Sequence, residues 1–178
     1  LASMPTRRRA REIVLQLLYE DDLNPEQDTA VAKQFLADRL HNNQVLIAFA
    51  RELWESVIKN RLEIDRALSA KAQNWSLRRM AAIDRNVLRL GAFEILHTDT
   101  PGRVVINEAV ELAKRYGNRQ SGQFVNGILD RILHDDDSPG EGESEEEAAQ
   151  LPASVTESDG DSGNSLSSDE TVGQAGTI

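Results

Sequence analysis

Seven stretches of this chain repeat their apolar residues every three to four positions, and none alternates apolar with polar residues over the length of a strand. That period restricts the chain to helices that each bury one face against a neighbour, so the expected fold is an all-α bundle. No unit of 20 to 50 residues recurs, which sets aside a solenoid.

The first segment runs from about Arg7 to Leu23 with Ala10, Ile13, Leu17 and Leu18 on one side, and Asn24-Pro25 ends it. A second, near Val31 to Leu40, buries Phe35 and Leu36 before the polar break His41-Asn42-Asn43. In the third, Val45, Leu46, Phe49, Leu53, Val57 and Ile58 form a stripe, with Trp54 beside it at a helix junction. Leu62, Ile64 and Leu68 mark a shorter fourth. The fifth is expected to open at Trp75-Ser76, with Ser76 as N-cap, and to present Met80, Ile83, Val87, Leu88, Leu90 and Ile95. Pro101-Gly102 separates it from a sixth, Val104 to about Tyr116, in which Glu111 and Arg115 have the i,i+4 spacing of an ion pair. Gly117 ends that helix, and Ser121 is placed to cap a seventh that buries Phe124, Val125, Ile128, Leu129 and Ile132.

Charge divides the chain in two. All 20 Lys and Arg residues precede residue 135 together with 17 of the 30 acidic ones, leaving residues 1–134 at +3, whereas 13 unopposed carboxylates follow. The stretch 135–178 has no aromatic residue and is rich in Ser and Gly, so it is predicted to be a disordered acidic tail behind a helical domain at 5–134. Its charge suggests mild competition with an anionic ligand for the domain's arginines, although a solubilising appendage without specific contact is the plainer role. No apolar run approaches the roughly 18 residues of a membrane span. The basic start has no apolar leader core, and Leu1-Ala2-Ser3 ahead of Met4 is left outside the fold expectation. The absence of Cys removes disulfides, thiolate metal sites and thiol nucleophiles, and fits a cytoplasmic protein.

The common catalytic devices are missing: there is no Gly-rich phosphate loop, no His-Glu-x-x-His pair and no serine elbow. His41, His97 and His134 fall in separate regions and read as surface or boundary residues, while Glu108, Glu111 and Asp130 read as ion-pair partners of basic neighbours at helical spacing. The expectation is a binding protein without cofactor, metal or catalytic residues.

Arginines carry the positive signal. Arg7, Arg8, Arg9 and Arg11 open the first helix, with Arg7, Arg8 and Arg11 on a shared face and Arg9 pointing elsewhere. Positive charge at a helix N-terminus opposes the macrodipole, so the cluster calls for a reason outside the helix, and phosphate is the natural one. A second patch lies between helices six and seven: Tyr116, Asn118, Arg119, Gln120 and Ser121, with Phe124 one turn on. Unstacked bases could rest on Tyr116 or Phe124 while the polar residues reach base edges or phosphates, although core packing is the plainer role for Phe124 alone.

Three stretches together resemble the NusB family of bacterial transcription antitermination factors over about residues 5–133. They are Arg-Arg-Arg-Ala-Arg-Glu (7–12) with Gln16-Leu17-Leu18-Tyr19; Asp84-Arg85-Asn86-Val87-Leu88-Arg89-Leu90 with Phe93-Glu94; and Val105 to Lys114 with Phe124-Val125-Asn126-Gly127-Ile128-Leu129-Asp130. The resemblance implies two small helical bundles that bind boxA RNA of ribosomal RNA operons as a single strand. It also implies a partner, the small-subunit ribosomal protein acting as NusE, and a place in the RNA polymerase antitermination complex that reads through terminators. Carried onto this chain, it places RNA on Arg7, Arg8, Arg9, Arg11, the loop 116–121 and Phe124, and the partner on Tyr19, Asp84 and Glu94. Two other readings stay open. One is a non-catalytic interaction module or homodimer that buries the arginine face. The other is the RNA-binding domain of a ribosomal RNA methyltransferase, disfavoured because an acidic stretch and not a cofactor-binding domain follows Leu133.

Overall fold

The computed structural model describes residues 6–25, 28–72 and 75–135, which all lie within one compact unit; the acidic tail and the effect expected of it fall outside these residues. Among the described residues there are seven α-helices and no strand: α1 (Arg7–Leu23), α2 (Thr29–Arg39), α3 (Gln44–Lys59), α4 (Arg61–Lys71), α5 (Ala82–His97), α6 (Gly102–Tyr116) and α7 (Ser121–Asp135). No helix among them is long and apolar enough to cross a membrane.

Local chemistry sets the boundaries. The Thr6 hydroxyl accepts from Arg9 N at 3.3 Å and opens α1, and Asn24 closes it by donating to Glu20 O just before Pro25. Asp28 caps α2 by accepting from Ala30 N at 2.8 Å, so the helix begins at Thr29, two residues ahead of the expected start. The break at His41-Asn42 is a left-handed reversal with φ of 51° and 56°, after which Asn43 accepts from Leu46 N and starts α3.

The largest departure from the sequence reading is at α5. Ser76 makes no capping bond and precedes only a 3-10 turn, Leu77–Arg79; α5 itself starts at Ala82. The interruption has a partner: Arg85 Nη1 donates to the carbonyls of Leu77 at 3.3 Å and Met80 at 3.5 Å, groups that a continuous helix would spend on itself. Leu77 and Met80 are buried on either side of the break, and Trp75 is left 63% exposed.

Helices α1, α2 and α3 pack together, as do α4 to α7, and α1 against α5 joins the two groups through one continuous apolar core. Gly91 permits the close approach of α5 to α7, since a Cβ there would stand 2.6 Å from Leu129 Cδ1. Beside the core, Asp22 of α1 accepts from Arg85 Nη2 at 2.8 Å and Asn86 Nδ2 at 2.9 Å. Arg89 spans from Asp22 to Asp65 of α4, at 3.2 and 2.7 Å. Burial alone would raise the Asp22 pKa, but these hydrogen bonds and the neighbouring guanidinium charges hold it below the usual carboxylate range.

Candidate nucleic-acid interface

The N-terminal arginines turn out to have a reason inside the protein. Arg11 is buried, and its Nε and Nη2 meet the Glu94 carboxylate of α5 at 2.8 and 2.6 Å, beneath the Phe49 ring. Glu94 is only 2% exposed. Burial works against the charge of Arg11, yet the Glu94 bonds outweigh it and the pKa moves up. Arg8 reaches Glu108 of α6 with a fork of two bonds, 3.0 and 2.8 Å, and this pairing, led by the hydrogen bond from Arg8, lowers the Glu108 pKa. Arg9 bonds the buried Glu12 at 2.7 Å, and Arg115 of α6 takes the other Glu12 oxygen. Thus three of the four arginines tie α1 to itself or to α5 and α6, and the macrodipole cost of the cluster is offset by carboxylates.

Several sequence expectations are corrected by this geometry. Arg11 does not present its guanidinium to solvent for RNA, and Glu94 does not present its carboxylate to a partner, because each is enclosed with the other. Arg115 pairs with Glu12 across helices, while Glu111 pairs with Lys114 at 3.4 Å, so the expected Glu111–Arg115 pair is absent. Glu108 takes its partner from α1 and not from a neighbour at helical spacing.

The loop after α6 is a compact turn. Gly117 lets Ser121 close over it, since a Cβ at Gly117 would collide with Ser121 Oγ. Ser121 is 1% exposed and is the first residue of α7; its hydroxyl accepts from Asn118 N at 2.9 Å, so it shapes the loop and does not offer that hydroxyl to RNA. Asn118 Oδ1 accepts from Gln120 N at 2.8 Å. Asn118, Arg119 and Gln120 are exposed. Arg119 makes no ion pair or hydrogen bond among the described residues, and Arg7 only covers the Phe49 ring at 5.0 Å.

The aromatic residues separate into two neighbouring sites. Tyr116 does not join Phe124; it lines an apolar groove of about 410 Å³ with Gln16, Tyr19, Phe35 and Ile83, where Tyr19 is exposed. Phe124, half-buried, meets the exposed Trp75 edge-on at 5.7 Å. These two rings border a smaller pocket of about 200 Å³ that also takes in Arg79, Asp84, Asn118 and Gln120. Sequence reasoning missed Trp75 and Arg79 here because it opened α5 at Trp75-Ser76, which put Trp75 at the helix entry and Arg79 inside the first turn. A Trp followed by a polar Ser and two arginines was the available signal for an exposed turn.

Comparison with known proteins agrees with this architecture. A family model described as the NusB family matches residues 8–134. The chain belongs to the NusB family. The transcription antitermination protein NusB of Desulfitobacterium hafniense is 47% identical over 130 residues, spanning 72% of this chain and 88% of that protein. A solved T. maritima NusB superimposes with a TM-score of 0.66 at 38% identity, covering 74% of this chain and 93% of that one. A crystal structure of antitermination factors NusB and NusE in complex with dsRNA gives a TM-score of 0.64 at 30% identity, covering 72% of this chain and 96% of that one. NusB proteins are non-catalytic transcription antitermination factors, and no cluster of His, Asp or Glu suited to a metal occurs among the described residues.

Proposed function

We propose that this protein is an RNA-binding adaptor that recognises single-stranded boxA-type RNA of ribosomal RNA operons together with the NusE ribosomal protein, and so helps RNA polymerase read through terminators. The observation that carries this reading is that, within the two sequence patches, some arginines are not neutralised by internal carboxylates. Arg7 and Arg119 supply free charge, and Arg8 keeps an exposed guanidinium edge while paired. Such groups hold phosphates with little sequence information. Asn118 and Gln120, exposed in a preformed turn, contribute contacts to bases, and Trp75 and Phe124 provide the stacking surface.

The protein partner fits the neighbouring groove. Its apolar floor of Phe35 and Ile83, with Tyr19 and Gln16 at the edge, has the composition of a protein contact. Ile83 lines that groove and the next residue, Asp84, lines the Trp75 pocket, so a partner seated in the groove would border the RNA and extend its binding surface. The relative captured with both NusE and dsRNA supports a joint arrangement of this kind.

Fluorescence anisotropy with a short boxA-type RNA and a scrambled control, each with and without NusE, tests the reading. Preference for boxA that tightens when NusE is added supports it. Equal, weak binding of both RNAs with NusE present refutes it, and a concentration-dependent dimer that excludes RNA would favour the interaction-module alternative.

A further inference from the structure

Asp84 stands out among the carboxylates of the described residues. It is 6% exposed, so it belongs with Glu12 and Glu94, yet those two are saturated by arginine while Asp84 Oδ1 has no hydrogen-bond donor. A carboxyl oxygen enclosed without a donor is unfavourable, and a donor entering from the adjoining pocket would satisfy it. Its place in the first turn of α5 favours negative charge there through the helix dipole. The dipole explains why an acid is tolerated, but it leaves the oxygen without a hydrogen bond.

The carboxylate forms part of the wall of the pocket beside Trp75 and Phe124. The two rings touch edge to face, so nothing inserts between them; what remains is the exposed face of Trp75, with Gln120 and Arg79 at the rim. An aromatic face next to a hydrogen-bond acceptor matches a flat ring that carries N–H donors along one edge. A phosphate is repelled by the same carboxylate, so within this pocket the ligand group is the base and not the backbone.

We propose that Asp84 is a base-selecting residue of the RNA interface: one unstacked nucleobase lies on Trp75 with its amino edge donating to the Asp84 carboxylate. This rests on the RNA-binding reading above and assigns to Asp84 a role other than the partner contact implied by family resemblance. Among the four bases guanine fits best, because its N1–H and N2 amino group offer two adjacent donors to a carboxylate. Uracil, whose single N3–H is flanked by carbonyl oxygens, fits worst. Because Oδ1 is enclosed in the free protein, the carboxyl group has to turn about its Cβ–Cγ bond for both oxygens to face the base.

The test uses the full chain and four labelled RNAs: an oligouridine, the same strand with one central guanosine, with inosine in its place, and with adenosine in its place. The wild type is expected to bind the guanosine strand about tenfold tighter than oligouridine, with inosine losing most of that gain because it lacks the amino group. Asp84→Asn keeps the shape and removes the charge; it should bind oligouridine at least as well as the wild type and lose the guanosine preference. Trp75→Ala should weaken all four strands together. Thermal melting checks that each variant is folded, and Asp84→Ala serves as a second variant should Asp84→Asn fail to fold. A guanosine preference that survives in the folded Asp84 variant, or its absence in the wild type, overturns the proposal while leaving RNA binding itself intact. Loss of NusE affinity with base preference unchanged would reassign Asp84 to the protein partner. Failure of every strand to bind the wild type would overturn both this inference and the RNA reading.

Discussion

Replacing Glu94 by Ala removes the carboxylate that pairs with the buried Arg11 guanidinium, which then keeps its charge without the hydrogen bonds of 3.1, 2.8 and 2.6 Å that satisfied it. Both side chains are nearly inaccessible, 6% and 3%, so water does not take over. Breaking a buried pair in this way costs about 3–5 kcal/mol, against a total stability for a domain of this size of roughly 5–15 kcal/mol. The midpoint of thermal unfolding should fall by about 10–20 °C. The apolar double substitution Arg11→Met/Glu94→Leu should recover most of the loss, because neither charge then has to be desolvated. Urea unfolding followed by helical circular dichroism measures both effects. RNA affinity of the folded double variant should stay within about twofold of the wild type, since Arg11 is assigned to the fold. A loss below about 1 kcal/mol for Glu94→Ala, or a folded double variant that binds RNA more than tenfold more weakly, would refute the reasoning.

Glu108→Gln releases Arg8 from its fork and should raise RNA affinity severalfold at low salt, a gain that disappears on adding salt; anisotropy titrations at two ionic strengths read it directly. Acid should destabilise the domain. Asp22 and Glu108 have folded-state pKa values below their unfolded ones, so their stabilisation is complete above about pH 4–5 and is lost as pH falls through the lowered values. Asp21 works the other way: burial raises its pKa despite the Trp54 hydrogen bond, so Asp21→Asn should remove an unfavourable charge and stabilise at neutral pH, as followed by melting across pH. Gly127→Ala, in an exposed helical position where a Cβ meets nothing within 4 Å, should stabilise by about 0.5–1 kcal/mol in urea titrations. Gly117→Ala should destabilise by about 1–3 kcal/mol, because the added Cβ collides with Ser121 and with Ala113 O.

The helices were legible in the sequence because one-sided burial writes itself as a 3.6-residue period, and the break at His41-Asn42-Asn43 because Asn tolerates the left-handed conformation found at Asn42. The start of α5 was not legible. Leu77, Met80 and Ile83 fit a helical face, and where the helix is interrupted Arg85 takes the Leu77 and Met80 carbonyls, a side-chain-to-backbone contact that the apolar period does not report. The arginine cluster was legible as positive charge at a helix start, but the reason assigned to it, phosphate outside the protein, overlooked the internal partners of Arg8, Arg9 and Arg11. What the sequence concealed was the neutralising carboxylates, since Glu94 and Glu108 lie 83 and 100 residues away along the chain. For the same reason Arg11 and Glu94 were assigned to separate surfaces although they form one buried pair. Ser121 was expected as the N-cap of α7, but it is the first residue of that helix and its hydroxyl turns back to Asn118 N in the close approach that Gly117 allows.

The central claim is that RNA phosphates are held by the cations left free of internal carboxylates. The salt dependence of affinity for a short single-stranded boxA-type RNA, compared between wild type and Arg7→Ala/Arg119→Ala, tests it most directly. With three or four phosphates engaged, log K against log salt should slope at about −2 to −3 for the wild type and be shallower by about 1.4 in the double variant. A wild-type slope near zero, or one that the double variant leaves unchanged, would contradict the account.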